Sequence, residues 1–425
     1  MSARRAAADL LVAVLDEARA LDDALETTPS FSKLEGRDRA FARALTNAAL
    51  RRLGGIDAVL SKFLQRPLPQ DAAHARALLR LGAAQLLVLN TPAHAGVGET
   101  VETAKAMREA RGFAKLMNAV LRKVAREGPA LLAALPPGAD LPAWLMTRWR
   151  AAYGDEAGAI AGALRDEPPL DLTVKQDAPA WAETLAGALT PTKSVRLAAH
   201  APVETLAGFA DGAWWVQDAA AALPAHVIGN VDGKRVLDLC AAPGGKTLQL
   251  AAYGAQVTAV DKSKARLGRL KENLRRTGLN AEVTCADALT FRAEEKYDAV
   301  LLDAPCTATG TLRRHPDVAW LRKPNDVRVL AGLQTRLIAA AADLVKPGGR
   351  LIYAVCSLEP EEGPGVIAQA LEQGWRRVPI DDEEFAGAGD FITPEGDLRT
   401  LPSQWPEIGG LDGFFAARLE RVPDA

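Results

Sequence analysis

The sequence predicts an all-α domain followed by an α/β domain with a mostly parallel, doubly wound sheet, with a small α/β subdomain between them. Three observations predict this. Residues 1 to about 130 are dominated by Ala, Leu, Arg and Glu, and their apolar residues recur at three and four positions, the period of an amphipathic helix. A Pro/Gly-rich connection, LPPGADLP at 135–142, stops that pattern because proline cannot continue a helix interior. From about Lys234 onward, short apolar strand candidates alternate with helical stretches, the pattern of parallel strands joined by helical crossovers.

At 425 residues the chain suits two or three domains. The expected boundaries are 1–130 for the helical domain, 131–142 for a linker, 143–215 for the small subdomain and 216–425 for the α/β domain. In the first domain helices are expected over 3–25, 37–53, 56–65, 71–89, 96–110 and 113–127. Gly54-Gly55, the Pro67–Pro69 stretch and Pro92 are the breaks between them. In the subdomain, 142–164 reads as two helices and 168–175 as a strand. In the α/β domain strands are expected at 235–239, 257–261, 282–286, 297–303 and 350–356, with a terminal one at 414–421.

Composition is that of an ordinary globular protein, 48% hydrophobic and 24% charged. No run of 18 apolar residues occurs, so no transmembrane helix is expected. The N-terminal run is interrupted by Asp9, Asp16, Glu17 and Arg19, which argues for an amphipathic helix rather than a signal peptide and for a cytoplasmic location. The net charge of −2 hides an asymmetry: residues 1–128 carry 20 Lys and Arg against 14 Asp and Glu, net +6, and the remainder carries −8. A basic N-terminal part fits an RNA-binding module.

Strand 235–239 runs into LCAAPGGK. A strand, a Gly-bearing turn and a helix form a ligand-binding corner in open α/β sheets. Gly244 and Gly245 remove side chains where a ligand must approach. The pattern is neither GxGxxG nor a Walker loop, so a dinucleotide or ATP is disfavoured. Asp261 lies 23 residues after Asp238 at the end of the next strand, and Asp287 ends the third. Carboxylates at successive strand ends suit a ligand with an amino group and a ribose, such as S-adenosyl-L-methionine.

The four cysteines, at 240, 285, 306 and 356, match no zinc spacing, so no metal site is expected and each reads first as a small buried hydrophobe. That reading stands for Cys285 and largely for Cys240. Cys306 and Cys356 differ. Each follows an apolar strand, and both reach the same sheet edge with Asp303 beside them. A thiolate adding to carbon 6 of cytosine would make carbon 5 nucleophilic. Lys246, Arg313, Arg314 and His315 could lower the thiol pKa, and Asp303 could bond the ring at N3 or N4. Spacing alone does not say which cysteine attacks.

AAPGGK at 241–246, DAPC at 303–306, RRHPD at 313–317 and the CS of AVCS at 356–357 resemble the motifs of RNA 5-methylcytosine methyltransferases. VQD at 216–218 and DGFF at 412–415 are similar to that family's pattern too. The resemblance implies a Rossmann-like class I methyltransferase domain with Cys356 as nucleophile and Cys306 assisting product release. It implies cofactor contacts at Cys240, Ala241, Ala242, Pro243, Gly244, Gly245, Lys246, Asp261, Asp287 and Asp303. DNA cytosine methyltransferases use the Pro-Cys cysteine instead and are disfavoured. LLRLGAAQLLVLNTPAHAGVGETVETAK and MNAVLRK resemble the NusB-like RNA-binding domain. The two together resemble the small-subunit ribosomal RNA methyltransferase B family (RsmB, Fmu or Sun) over nearly the whole chain. The sequence departs from that family's usual pattern at Val355 (usually Thr), at Thr307-Ala308 (usually Ser-Gly), and at Thr173 and Lys175 (usually Arg and Asn). The expectation is an enzyme acting on 16S ribosomal RNA as a monomer. Transfer RNA as substrate, or an RNA-binding protein with an inactive methyltransferase domain, are the alternatives.

Overall fold

The computed structural model describes residues 2–198, 202–385 and 391–422. Its contacts divide the chain into two units, 1–167 with 312–324, and 168–311 with 325–425.

The first unit is helical: Ala3–Leu15, Leu21–Thr27, Pro29–Ser32, Gly36–Arg51, Leu53–Ser61, Ala73–Leu87, Ala93–Ala106, Ala114–Ala133, Ala143–Tyr153 and Glu156–Ala163. Small and branched side chains fill its core, among them Ala6, Leu10, Leu45, Leu78, Leu121 and Val124. The helix expected over 3–25 ends at Leu15. Ala18 takes a left-handed conformation, and the chain turns so that Leu21 and Ala24 also reach the core. Gly54 and Gly55 are not a break. They lie in the first turn of Leu53–Ser61 because a Cβ on Gly54 would strike the carbonyl of Ala139, and one on Gly55 would strike the Asp140 side chain.

That close approach also changes the role of the Pro/Gly-rich connection. The turn Pro137–Asp140 packs between Leu53–Ser61 and Glu156–Ala163; the Oδ2 of buried Asp140 accepts from Arg165 Nε at 2.7 Å and is ion-paired with Arg52. The two helices after the connection therefore group with the helical unit, not with the strands expected to share a subdomain with them. The segment 312–324, which holds RRHPD, belongs to this unit as well. Arg51 Nη2 donates to the Arg313 carbonyl at 2.9 Å, Leu21 N to Asp317 Oδ2 at 2.9 Å, and Trp320 Nε1 to the Leu50 carbonyl at 3.0 Å. Trp320 and Leu321 pack on the helical core.

The second unit holds two sheets. Among the described residues the smaller has four strands: β1 (Leu170–Val174), β2 (Ala188–Leu189), β3 (Val195–Leu197) and β4 (Trp214–Val216), in antiparallel order β2-β3-β1-β4. Only β1 was legible beforehand; the other three are two or three residues long, too short to carry an alternating pattern. The larger sheet is built from β5 (Arg235–Leu239), β6 (Gln256–Asp261), β7 (Glu282–Cys285), β8 (Tyr297–Asp303), β9 (Val345–Val355), β10 (Trp375–Arg377) and β12 (Phe415–Arg421), in the order β10-β12-β9-β8-β5-β6-β7. β11 (Leu398–Arg399) pairs with β12. The five strands from β7 to β9 are parallel, and β12 is antiparallel to β9. The chain moves outward from β5 to β6 and β7, then crosses back to β8 on the other side. The carboxyl ends of β5 and β8 thus flank a topological switch point, where open α/β sheets bind ligands.

A buried ion pair fastens the small sheet. Arg196 Nε and Nη2 donate to the two Asp171 oxygens at 2.7 Å each, and Arg196 Nη1 donates to the carbonyls of Ile408 at 3.0 Å and Gly410 at 2.7 Å. Asp171 also accepts from Ala219 N at 3.0 Å. Removing the cation strands a buried carboxylate. Arg196→Met should therefore lower stability by about 3–5 kcal/mol, read as a lower urea midpoint in tryptophan fluorescence; an unchanged midpoint would contradict this account.

Candidate active site

The corner after β5 is shaped by its backbone. Cys240 has φ +61° and Gly244 φ +110°, both in the left-handed region, and a Cβ at Gly244 would collide with Leu270. Helix Gly245–Ala252 then starts beneath the turn. Asp238, fully buried, accepts from Thr247 Oγ1 at 2.5 Å and so ties the strand end to that helix, while its Oδ1 has no hydrogen-bond partner. Burial pushes its pKa up to about 7.

Beside this corner lies a cavity of about 90 Å³ lined by Cys240, Asp261, Asp287, Pro305, Leu333 and Leu337 among others. The ends of β5, β6, β7 and β8 all contribute. Asp261 is buried; its Oδ2 accepts from Ala242 N at 3.2 Å and its Oδ1 from Ser263 N at 2.8 Å. Arg266 Nη1, also at this cavity, lies 3.7 Å from Oδ2; a carboxylate has about four acceptor sites, so Oδ1 can still take a ligand hydroxyl. Asp287 is exposed and its Oδ1 accepts from Leu289 N at 2.9 Å, so it caps its own turn while lining the cavity.

The parallel pairing of β8 and β9, with Asp303 opposite Ala354, delivers both cysteines to one place. The Sγ atoms of Cys306 and Cys356 are 3.5 Å apart, and both are free thiols. They differ in environment. Cys306 is buried and Cys356 only partly so. The hydrogen bond with Cys356, burial and the nearby charge of Glu362 hold the Cys306 thiol well above the ordinary thiol range. Cys240 is a third thiol, pushed up to about 12 by burial and by Asp303, Asp261 and Asp238, which leaves it inert. Cys285 is exposed on the far side of β6 and joins none of these groups.

Lys246 is a buried cation of the site. Its Nζ donates to Asp303 Oδ2 at 2.8 Å and sits 5.1 Å from the centre of the Phe414 ring. Burial works to lower its pKa, but Asp303, with help from Cys356 and Asp238, outweighs that and holds the ammonium above its usual value. The structure thus brings together Lys246, Asp303, Cys306 and Cys356 from the predicted set. Arg313, Arg314 and His315, expected to act on the thiols, lie in the segment that packs with the helical unit.

Sequence reasoning missed Glu362 and Gln334 and gave Thr307 and Ser357 no role of their own; all four are buried around the cysteine loops. Glu362 lies in EPEEG, which reads as a solvated acidic run, and no local signal marks it for burial. VQD and DGFF, two motifs far apart in sequence, meet here: Asp218 Oδ1 caps helix Ala219–His226 and also accepts from Asp412 N at 3.3 Å.

Known proteins carry the same layout. The family described as 16S rRNA methyltransferase RsmB/F matches residues 225–420, and the NusB family matches residues 1–126. Ribosomal RNA small subunit methyltransferase B of Klebsiella pneumoniae subsp. pneumoniae is 37% identical, covering 98% of this chain and 97% of its own. The protein of that description from Xanthomonas campestris pv. campestris is 39% identical over 99% and 97%. Among solved structures, PH0851 has a TM-score of 0.77 at 24% identity, covering 99% of each chain, and so shares the fold. A methyltransferase homologue from Pyrococcus horikoshii has a TM-score of 0.54 at 26% identity, covering 71% of this chain and 98% of its own. S-adenosylmethionine is accordingly the cofactor, and the residues present suit it: Asp261 keeps a free acceptor site at the cavity and Asp238 an unpaired buried oxygen. Asp261→Ala should weaken S-adenosylhomocysteine binding about 10- to 100-fold, the loss expected for a hydrogen bond to a charged group. Calorimetry checks this, and unchanged affinity would remove Asp261 from the site. With nearly its full length matched at this identity, the chain belongs to the ribosomal RNA small subunit methyltransferase B family.

Proposed function

We propose that this enzyme methylates carbon 5 of a cytosine in 16S ribosomal RNA through a covalent bond between Cys356 and carbon 6. The observation that carries the reading is the thiol pair at the ends of β8 and β9, 3.5 Å apart, beside the Lys246–Asp303 ion pair. Methylation of nitrogen or oxygen needs no such pair. Carbon 5 of cytosine does, because it is a poor nucleophile until a thiolate adds to carbon 6.

In this reading the buried Lys246 ammonium stabilises the Cys356 thiolate, and the better exposed Cys356 meets the base while Cys306 stays a thiol. Asp303 accepts a hydrogen bond from the cytosine N4 amino group, which orients the ring for attack. Asp261 and Asp287 would hold the nucleoside part of S-adenosylmethionine, and Cys240, Ala241, Ala242, Pro243, Gly244 and Gly245 would be its further contacts. S-adenosylmethionine supplies the methyl group. A base, for which water suffices, then takes the proton from carbon 5; the C–H electron pair re-forms the ring double bond as the bond to sulfur breaks, and Cys356 departs as thiolate. Cys306 assists that departure. The basic helical domain, net +6 over residues 1–128, contributes phosphate contacts to the RNA. The target base must be out of its stack to be reached.

Cys356→Ala is expected to abolish methylation while S-adenosylhomocysteine binding persists, and full activity in that variant would refute the mechanism. Cys306→Ala should accumulate a protein–RNA adduct, seen as a slow band on a denaturing gel; finding none would reduce Cys306 to a packing role. Bisulfite sequencing of total RNA from a strain lacking the protein should show one unprotected cytosine in 16S ribosomal RNA. Loss of protection only in transfer RNA would overturn the substrate assignment.

A further inference from the structure

We propose that Glu362 is a positioning residue whose buried carboxylate sets the spacing of the two cysteines by binding the residue that follows each of them. The inference rests on the reading of Cys356 as nucleophile. On the Cys306 side, Thr307 donates to Glu362 twice, from its backbone N to Oε1 at 2.9 Å and from its hydroxyl to Oε2. On the Cys356 side, Ser357 Oγ donates to Oε2 at 2.5 Å. A third element completes the shell: Gln334 Nε2, from helix Pro324–Ala342, donates to Oε1 at 2.9 Å and to the carbonyl of Pro305 at 2.8 Å, the residue before Cys306.

The cross-ties continue outward. Gly310 N donates to the Cys356 carbonyl at 3.0 Å, and Leu358 N to Thr309 Oγ1 at 3.0 Å. Tyr353 OH donates to the backbone carbonyl of Glu362 at 2.5 Å, which anchors the carboxylate to β9. Glu362, Thr307, Ser357, Gln334 and Tyr353 are all fully buried. Such a location is costly for a carboxylate unless its oxygens are satisfied, and here both oxygens carry two donors.

The chemistry of the shell explains why a carboxylate stands there. Every group aimed at it donates, and an ionised carboxylate is the side chain that only accepts. Its hydrogen bonds are short and about twice as strong as neutral ones, so the two loops are held stiffly. The loops have no ladder of their own to hold them, because β8 ends at Asp303 and β9 at Val355, before either cysteine. The negative charge has a second consequence. It helps keep Cys306 protonated, so that one sulfur of the pair is a thiol while the other attacks.

The test uses the full chain and three substitutions. Glu362→Gln keeps the shape but brings an amide donor into a shell of donors. It should lower kcat about 10- to 100-fold, the scale of a small misplacement of reacting groups, with the KM for RNA and the affinity for S-adenosylhomocysteine within threefold of the parent. Ser357→Ala loosens the nucleophile side and should slow adduct formation on RNA carrying 5-fluorocytosine, where the fluorine prevents release. Thr307→Val loosens the Cys306 side and should prolong the adduct on ordinary RNA. A merely structural residue would not separate formation from release. If Glu362→Gln does not fold, the two hydroxyl variants decide. The proposal is overturned if Cys356→Ala is inactive yet the folded variants keep kcat and both adduct rates within threefold of the parent. Activity in Cys356→Ala would overturn the reading beneath it instead.

Discussion

The parallel pairing of β8 with β9 is the constraint on which the site depends. It sets Asp303 opposite Ala354, so the two strands finish level and each releases its chain at the same edge. Cys306 and Cys356, 50 residues apart in sequence, meet there. A slip of one residue would turn every side chain of one strand to the opposite face. Both faces are apolar, so shape rather than polarity opposes a slip: Val300, Leu302, Leu351, Tyr353 and Val355 pack on one side, and the smaller set Ala299, Leu301, Ile352 and Ala354 on the other. The hydrophobic energy of the sheet thereby becomes positional accuracy at its edge.

Charge is distributed over that edge with equal economy. Lys246 is buried and balanced by Asp303, so a cation is available beside the thiols without the cost of an isolated buried charge. Glu362 is buried and satisfied by hydrogen-bond donors rather than by a side-chain cation. Asp238 is buried and pushed up to about 7, which marks it as part of the scaffold of the cofactor corner more than a fixed negative charge. Three carboxyl groups within one sheet edge thus have three roles, and their surroundings separate them.

Family departures read differently once the loops are seen. The Thr307 hydroxyl donates to Glu362. Ala308 takes φ +58°, a conformation that costs a non-glycine residue about 1–2 kcal/mol. The hydrogen bonds around Thr307 hold the chain in it. Val355 lies fully buried in β9, paired with Phe415, so its side chain serves the core there. Lys175 donates to the carbonyl of Thr277 at 2.7 Å, at the end of helix Lys264–Thr277, where a cation suits the helix dipole.

The sequence by itself determined the helical and α/β halves, the long strands of the large sheet and the strand–turn–helix corner after β5. Periodicity and turn chemistry are local, and AAPGGK, DAPC and the CS strand end are contiguous. Tertiary structure alone decided what depends on distant partners. It assigned Gly54 and Gly55 to a tight contact instead of a break, and it gave RRHPD to the helical unit through Trp320 and Asp317. It separated the two cysteines by burial, and it sank Glu362 from an acidic run into the space between their loops. Burial and hydrogen-bond partnership are properties of folded neighbours many residues away, and no pattern within a short window of sequence encodes them.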